Sequence, residues 1–145
     1  MNNVFSKILV TLQFSFIIAI IGASHWIPRS GAAQFILLVS LFLGLWAIQT
    51  MRLSNVRIMP EPKFDAVFIQ TGPYKFIRHP MYLSVLLFTL GYVIEKTNPI
   101  TIVCWFLLFI TLHVKISYEE NLLKQKFPLY MEYSRQSKRL IPFIY

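Results

Sequence analysis

The sequence predicts an all-α integral membrane protein, with about four transmembrane helices in two antiparallel hairpins and a C-terminal interfacial helix. Hydrophobic residues make up 56% of the 145 residues, and the mean hydropathy is +0.58. Such a chain is too apolar for an ordinary soluble domain. Long apolar runs alternate with polar connections, and basic residues gather in every second connection. We therefore predict one membrane-embedded domain over residues 1–145.

Four apolar runs supply the predicted spans, which cover residues 5–27, 32–51, 80–95 and 99–117. A transmembrane helix needs about 17 to 25 predominantly apolar residues. The first, second and fourth runs meet that length, whereas the third requires Arg78 and Lys96 to snorkel or the bilayer to thin. Short connections after the first and third spans make each consecutive pair an antiparallel hairpin.

The basic residues are sorted by connection, and this sorting predicts the orientation. Of the fourteen lysines and arginines, Arg29 and Lys96 fall in the two short connections, which leaves twelve for the other side. By the positive-inside rule, both termini and the long loop 52–79 face the cytoplasm. The net charge of +8 then reflects topology and lipid contact, and we predict no nucleic-acid partner.

Two segments outside the spans have the character of functional elements. The loop 52–79 is too long for a simple connector, and its apolar run 66–69 is either an interfacial anchor or one wall of a ligand site. The C-terminal segment 118–145 begins as a charged helix with an apolar stripe, which suits a membrane surface. Cys104 is the single cysteine, so no disulfide or thiolate cluster can form within the chain, and we predict no metal site.

The segment Gly72–Tyr82 concentrates polar groups at the start of the third span. Its first two residues form a Gly-Pro turn, and Pro80 suits the first position of a helix. Arg78 and His79 then lie at a helix N-terminus, whose unpaired N–H groups and partial positive charge favour a carboxylate or a phosphate. The sequence therefore predicts an anion-binding site here.

The hairpin of the third and fourth spans brings the start of one beside the end of the other. Seven side chains should meet there: Tyr74, Arg78, His79, Tyr82, Lys115, Glu119 and Glu120. Cationic, anionic and aromatic groups in one pocket suit a zwitterionic ligand with a charged centre and a flat ring. Snorkelling charges and an aromatic belt would explain most of these residues taken singly, so spacing alone leaves both interpretations open.

Two ordered motifs resemble the isoprenylcysteine carboxyl methyltransferase family and its phospholipid methyltransferase relatives. The first is Gly72-Pro73-Tyr74-x-x-x-Arg78-His79-Pro80-x-Tyr82. The second runs from Glu119-Glu120 through Phe127, Tyr130 and Tyr133 to Arg139-x-Ile141-Pro142. The resemblance covers about residues 66–142 and implies a multi-helix membrane methyltransferase that uses S-adenosylmethionine.

The resemblance also implies residue roles. Cofactor contacts fall on Val67, Phe68, Ile69, Tyr74, His79, Pro80, Met81, Tyr82 and Glu119. Lys115 stands where an arginine of the family helps to hold the acceptor, and it lacks the bidentate fork that suits a carboxylate. Ser84 replaces a common glycine, and the segment Phe127–Tyr130 is one residue shorter than the family pattern.

The implied reaction is an in-line displacement at the sulfonium methyl, where positioning supplies much of the acceleration. Glu119 would offset the sulfonium charge, and Arg78 and His79 would hold the carboxylate of the cofactor. A carboxylate acceptor is ionised at neutral pH and needs no general base. An amine acceptor needs one, for which His79 and Glu120 are candidates. The predicted catalytic residues are therefore Arg78, His79 and Glu120.

Three functions remain open on the sequence. The first is carboxyl O-methylation of an isoprenylcysteine-like or other lipophilic acceptor, and the second is N-methylation of a phospholipid amine. The third is a non-catalytic membrane protein that binds a lipid headgroup. Each places its site on the cytoplasmic face, with a membrane-anchored acceptor or a membrane lipid as partner. Loss of Glu119 should weaken cofactor binding by an enzyme and leave headgroup binding unaffected.

Overall fold

A computed structural model describes residues 2–24, 27–51, 59–61 and 68–141, with side chains from residue 4 onward. These residues form α1 (Asn2–Gly22), α2 (Gly31–Met51), a single 3-10 turn (Gly72–Lys75), α3 (Pro80–Glu95), α4 (Pro99–Lys126) and α5 (Tyr130–Gln136). Three segments are long and apolar enough to cross a membrane: Val4–Gly22, α2 and α4. The predicted all-α integral membrane fold is confirmed.

The helix bounds differ from the predicted spans in two places. α1 ends at Gly22 and not near residue 27, because Ala23 and Ser24 leave the helix in a turn; residues 25 and 26 lie outside the described part. α4 does not stop at 117 but continues through 28 residues to Lys126, since no helix-breaking residue occurs before Pro128. At 16 residues, α3 is shorter than the three long helices, and its crossing of the membrane stays a prediction.

α2 and α3 pack antiparallel along a seam of small residues. Ala33, Ser40 and Ala47 are buried on α2 at intervals of seven. On the facing helix α3, a Cβ added to Gly91 would lie 3.1 Å from the Leu37 side chain. A Cβ added to Gly44 of α2 would lie 3.1 Å from Ser84 Oγ of α3. Small residues let two helix backbones approach closely where lipid supplies no hydrophobic drive for association.

α1 packs antiparallel against α4 rather than against α2. The Phe5 ring meets the Tyr118 ring edge-on with centroids 5.5 Å apart, and Gln13 reaches Lys115 one to two turns further in. The first two helices follow each other closely in sequence, but α1 packs mainly against α4 and α2 packs mainly against α3. The predicted hairpin of α3 and α4 is present, pinned by Trp105 Nε1 donating to the Leu86 carbonyl at 3.1 Å.

The two ends of the bundle have different chemistry. At one end, Ser24 Oγ donates to the Tyr92 carbonyl and Ser30 N–H donates to Glu95, with Asn98 capping α4. The other end gathers the start of α1, the segment 59–61, the start of α3 and α5. We call it the basic end because Arg78, Lys115 and Arg139 lie there. Which side of the membrane it faces stays a prediction.

Candidate functional site

A glycine turn delivers the chain to the basic end. Gly72 has φ of +58°, a left-handed conformation that glycine adopts without steric cost. A Cβ at this position would lie 2.5 Å from Thr50 Oγ1 at the end of α2. The following 3-10 turn buries Tyr74 to 5% exposure. The turn thus packs against the end of α2 and leads the chain toward α3.

The residues just before α3 are joined to the C-terminal segment by backbone hydrogen bonds. Arg78 N–H donates to the Lys138 carbonyl at 2.7 Å, His79 N–H donates to the Arg139 carbonyl at 3.1 Å, and Lys138 N–H donates to the Phe76 carbonyl. Ile77 and Lys138 form a parallel bridge. Two of the N–H groups predicted to attract an anion are therefore occupied by carbonyl oxygens of the chain itself.

Glu120 is the carboxylate that lies beside this helix start. Its Oε1 accepts a hydrogen bond from Arg78 Nε at 2.7 Å and lies 3.3 Å from His79 Nε2, while Oε2 is 3.1 Å from an Arg139 nitrogen. Arg78 also donates to the carbonyls of Ser134, at 2.9 Å, and Ser137. The set Arg78, His79, Glu120 and Arg139 is called the arginine cluster below. It contains all three residues predicted to be catalytic.

A second set of polar side chains lies next to the arginine cluster. It consists of Gln13, Tyr82, Lys115 and Glu119 and is called the lysine cluster. Tyr82 donates to Glu119 Oε2 at 2.7 Å, and Lys115 Nζ lies 5.2 Å from the centre of the Tyr82 ring. Lys115, 1% exposed, donates to Gln13 Oε1 at 2.8 Å. The His79 ring stacks on Tyr82 with centroids 5.5 Å apart, so the two clusters touch.

Aromatic rings cover the cluster region from the side of the loop. Phe68 stacks on Phe127 at 5.3 Å and meets the rings of Tyr130 and Tyr133. Tyr133 donates its hydroxyl to the Tyr74 carbonyl at 2.5 Å. Phe68 is therefore packed against the C-terminal segment, and its part in a ligand site stays a prediction.

The other residues predicted to bind the cofactor divide into those near this wall and those on α3. Ile69 is half-buried next to Phe68, whereas Val67 lies outside the described residues. Pro80 is buried and Met81 half-buried in the first turn of α3, beside His79. The structure thus brings the predicted site together at the basic end, and the roles of its residues stay predictions.

Three buried phenol hydroxyls, those of Tyr74, Tyr118 and Tyr130, have no hydrogen-bond partner among the described residues. Tyr74 and Tyr130 are 5% and 2% exposed, and each hydroxyl oxygen is enclosed without a partner. Burial raises the pKa of both phenols well above 10, so both carry their protons at physiological pH. A buried donor left unsatisfied costs free energy. These hydroxyls can donate to acceptor atoms of a ligand.

The sequence interpretation did not identify three contributors to the site. Gln13 lies inside an apolar helix, where a polar side chain is costly unless it binds something; that signal was present in the sequence. Arg139 and the carbonyl of Ser137 reach Arg78 and Glu120 through the fold of the C-terminal segment. A backbone carbonyl has no residue type, so no sequence pattern could have indicated it.

Comparison with known proteins adds a family to this geometry. The family model described as phospholipid methyltransferase matches residues 28–129. The matched segment contains α2, α3, α4 and most residues of the two clusters, while α1 and α5 lie outside it. Comparison with curated proteins gives no match.

Proposed function

Since the chain belongs to the phospholipid methyltransferase family, we propose that it transfers the methyl group of S-adenosylmethionine to a lipophilic acceptor at the basic end. Family membership and three helices long enough to span a bilayer make the protein a membrane methyltransferase. The cofactor, the site and the acceptor are the parts that we propose. A non-catalytic headgroup-binding protein is disfavoured by the family.

One observation carries the proposal: Glu119 and Tyr82, from the two separate motifs, meet at 2.7 Å. The groups around them fit the chemistry of S-adenosylmethionine, which has a cationic sulfur, a carboxylate and an aromatic base. The Glu119 carboxylate suits the cation, and rings such as Phe68 suit the base. The unpartnered hydroxyls of Tyr74 and Tyr130 can donate to the oxygens and nitrogens of the cofactor.

When bound, the cofactor supplies an electrophilic methyl group, and the protein supplies orientation. Glu119 would offset the permanent positive charge of the sulfonium, and it holds Tyr82 in place by accepting a hydrogen bond from its hydroxyl. Residues 79–82 present the first turn of α3 to the donor. The rings of Phe68 and Phe127 exclude water from one side. Positioning of this kind accounts for a large part of the acceleration in a two-substrate displacement.

A carboxylate acceptor of the isoprenylcysteine type is our first candidate. Lys115 supplies a buried cationic group next to Tyr82 and Glu119, and the carboxylate of such an acceptor would be drawn to it. Its carboxylate needs no deprotonation at neutral pH. The arginine cluster then has no proton to remove, and its part is to hold the start of α3.

The second candidate, a phospholipid amine, is favoured by the description of the family. An ammonium acceptor must lose a proton before it can attack. Glu120 accepts hydrogen bonds from two arginines, which stabilise its ionised form and make it a poor proton acceptor. His79, 3.3 Å from Glu120, is the better base in this case.

Binding of the product analogue tests the proposal first. S-Adenosylhomocysteine is titrated into the detergent-purified protein by calorimetry, with Glu119→Ala and His79→Ala as site variants. Glu132→Ala serves as a matched control because Glu132 is exposed on α5. Saturable binding that both site variants weaken and the control retains is expected. Absence of binding by well-folded protein would overturn the proposal and favour the non-catalytic protein that binds a lipid headgroup.

The acceptor is tested by product chemistry. The protein is reconstituted with methyl-labelled S-adenosylmethionine and either a farnesylcysteine derivative or vesicles containing phosphatidylethanolamine. A methyl ester releases its label as methanol in mild alkali, whereas an N-methyl group retains it. Alkali-labile label is expected for the first candidate, and alkali-stable label in the lipid would replace it with the second.

A further inference from the structure

The buried face of α1 carries two polar side chains that reach the basic end. Ser6 and Gln13 are 1% and 7% exposed and lie seven residues apart, on the same stripe as the buried Leu9 and Ile20. Large hydrophobic residues of α1 are exposed, as expected for a helix in lipid: Phe5, Ile8, Leu12, Phe14 and Ile18. A primary amide in such a position is costly unless it is hydrogen-bonded. The polar stripe therefore indicates a specific task for this face.

Both polar side chains bind groups of the basic end. Gln13 accepts from Lys115 Nζ at 2.8 Å, and Ser6 donates to the carboxylate of Glu61. Glu61 and Glu119 are the two acidic groups that act electrostatically on Lys115. α1 thus joins the loop segment 59–61 to α4 at the basic end.

Gln13 also decides where the lysine nitrogen lies. Lysine has a flexible four-carbon stem and three donor directions, so its own chain does not fix the position of Nζ. The hydrogen bond that Lys115 Nζ donates to Gln13 keeps Nζ over the Tyr82 ring, whose hydroxyl donates to Glu119. The path Gln13, Lys115, Tyr82, Glu119 runs from α1 to the proposed donor site through described contacts.

We propose that Gln13 is a positioning residue for the acceptor: it holds Lys115 against Tyr82 and thereby sets which acceptor headgroup the enzyme takes. This inference rests on the proposed function. α1 lies outside the segment that matches the family model. The cofactor side of the site, centred on Glu119, does not depend on it.

A double-mutant cycle tests the inference. The variants are Gln13→Leu, Lys115→Met and the double variant, with Gln49→Leu as a matched control because Gln49 is an exposed glutamine of α2. The double variant replaces both partners by apolar groups, so neither a buried donor nor a buried acceptor is left without a partner. Gln13→Glu supplies a fourth, nearly isosteric variant that retains an acceptor oxygen.

The readouts are the KM for the acceptor and the Kd for S-adenosylhomocysteine. Gln13→Leu and Lys115→Met are each expected to raise the KM about tenfold or more, with the double variant no worse than Lys115→Met alone, because Gln13 acts through the lysine. Gln13→Glu should raise the KM of an anionic acceptor more than that of a cationic one. The Kd of the cofactor product should change less than about twofold in Gln13→Leu and in the Gln49→Leu control.

Additive effects of the two single variants on the KM, or equal effects on KM and on Kd, would overturn the inference while the wild-type activity stands. A wild-type protein that transfers no methyl group to any acceptor would instead refute the proposed function, and the inference with it. The two failures are therefore separated by the wild-type assay alone.

Discussion

Glu119 and Glu120 are neighbours in α4, yet their surroundings differ in kind. Glu120 is 2% exposed and its two oxygens meet Arg78, His79 and Arg139. Glu119 is half-buried and, within the described residues, receives one hydrogen bond, from Tyr82. The arginine cluster is saturated by the chain itself, whereas the lysine cluster retains unused acceptor capacity at Glu119.

This difference indicates a structural role for the arginine cluster and a ligand-binding role for the lysine cluster. In the arginine cluster, the positive charges and the carboxylate secure α3, α4 and the C-terminal segment to one another through side-chain and backbone bonds. A saturated carboxylate has little to offer a ligand. Glu119 can still accept hydrogen bonds or face a cation. We therefore expect substitutions in the first cluster to affect stability and those in the second to affect ligand affinity.

The largest effect is expected from Glu120→Gln. Removing one member of a buried ion pair leaves the other charge uncompensated, which costs about 3 to 5 kcal/mol, and here Arg78 and Arg139 both lose the carboxylate. Thermal unfolding in detergent should show a much lower midpoint, with loss of cofactor-product binding as a consequence. A Glu120→Gln protein of unchanged stability and no activity would show that Glu120 is catalytic rather than structural.

Glu119→Gln should show the reverse pattern. The hydrogen bond from Tyr82 can still reach the amide oxygen, so the unfolding midpoint should stay close to that of the wild type. Binding of S-adenosylmethionine should weaken by about 10- to 100-fold, which corresponds to a charged hydrogen bond of about 1.5 to 3 kcal/mol. Calorimetry with the donor measures this. Equal losses of stability in the two glutamine variants would remove the distinction between the clusters.

Gly72→Ala tests whether both clusters depend on the loop that delivers α3. The left-handed backbone costs an L-residue about 1 to 2 kcal/mol, and the new Cβ crowds Thr50. A moderate loss of stability is expected, measured by thermal unfolding. Gly22→Ala is the matched control, because a Cβ there meets nothing within 4 Å. If Gly72→Ala behaved like the control, the turn would not position the site.

The smallest effect concerns Tyr133, which anchors α5 to the 3-10 turn through the Tyr74 carbonyl. Burial raises the pKa of Tyr133 from 10.0 to about 12. Because the folded-state pKa is the higher one, its contribution to stability is present in full below pH 10 and is lost as the pH rises toward about 12. Tyr133→Phe should remove part of this alkaline sensitivity, visible in unfolding midpoints measured between these pH values. An unchanged pH profile would contradict the assignment.

The sequence was sufficient for the helices and for the meeting of the two motifs. Apolar runs of spanning length and Pro80 at a helix start predicted α2, α3 and α4 well, because periodicity and helix-start chemistry are local properties. The short connection between the third and fourth helices correctly predicted that Tyr82 and Glu119 would be neighbours. These contacts follow from topology and need no knowledge of side-chain geometry.

Which helices pack against each other could not be predicted from the sequence. The pairing of α1 with α4 depends on how Gln13 and Lys115 satisfy each other across 102 positions, and chain order favours a different neighbour. The surroundings of Glu120 also could not be predicted: its residue type suits a base, and the fold places three cationic or titratable partners around it. Such competition between partners is decided by three-dimensional packing.

The hydrogen bonds of the Arg78 side chain can form only late in the synthesis of the chain. Glu120 is synthesised 42 residues after Arg78, and the carbonyl of Ser137 follows at 59 residues. Because domains form as the chain emerges from its N-terminus, α3 is made while Arg78 still lacks every one of these partners. The arginine cluster is therefore completed only after the long helices have been synthesised.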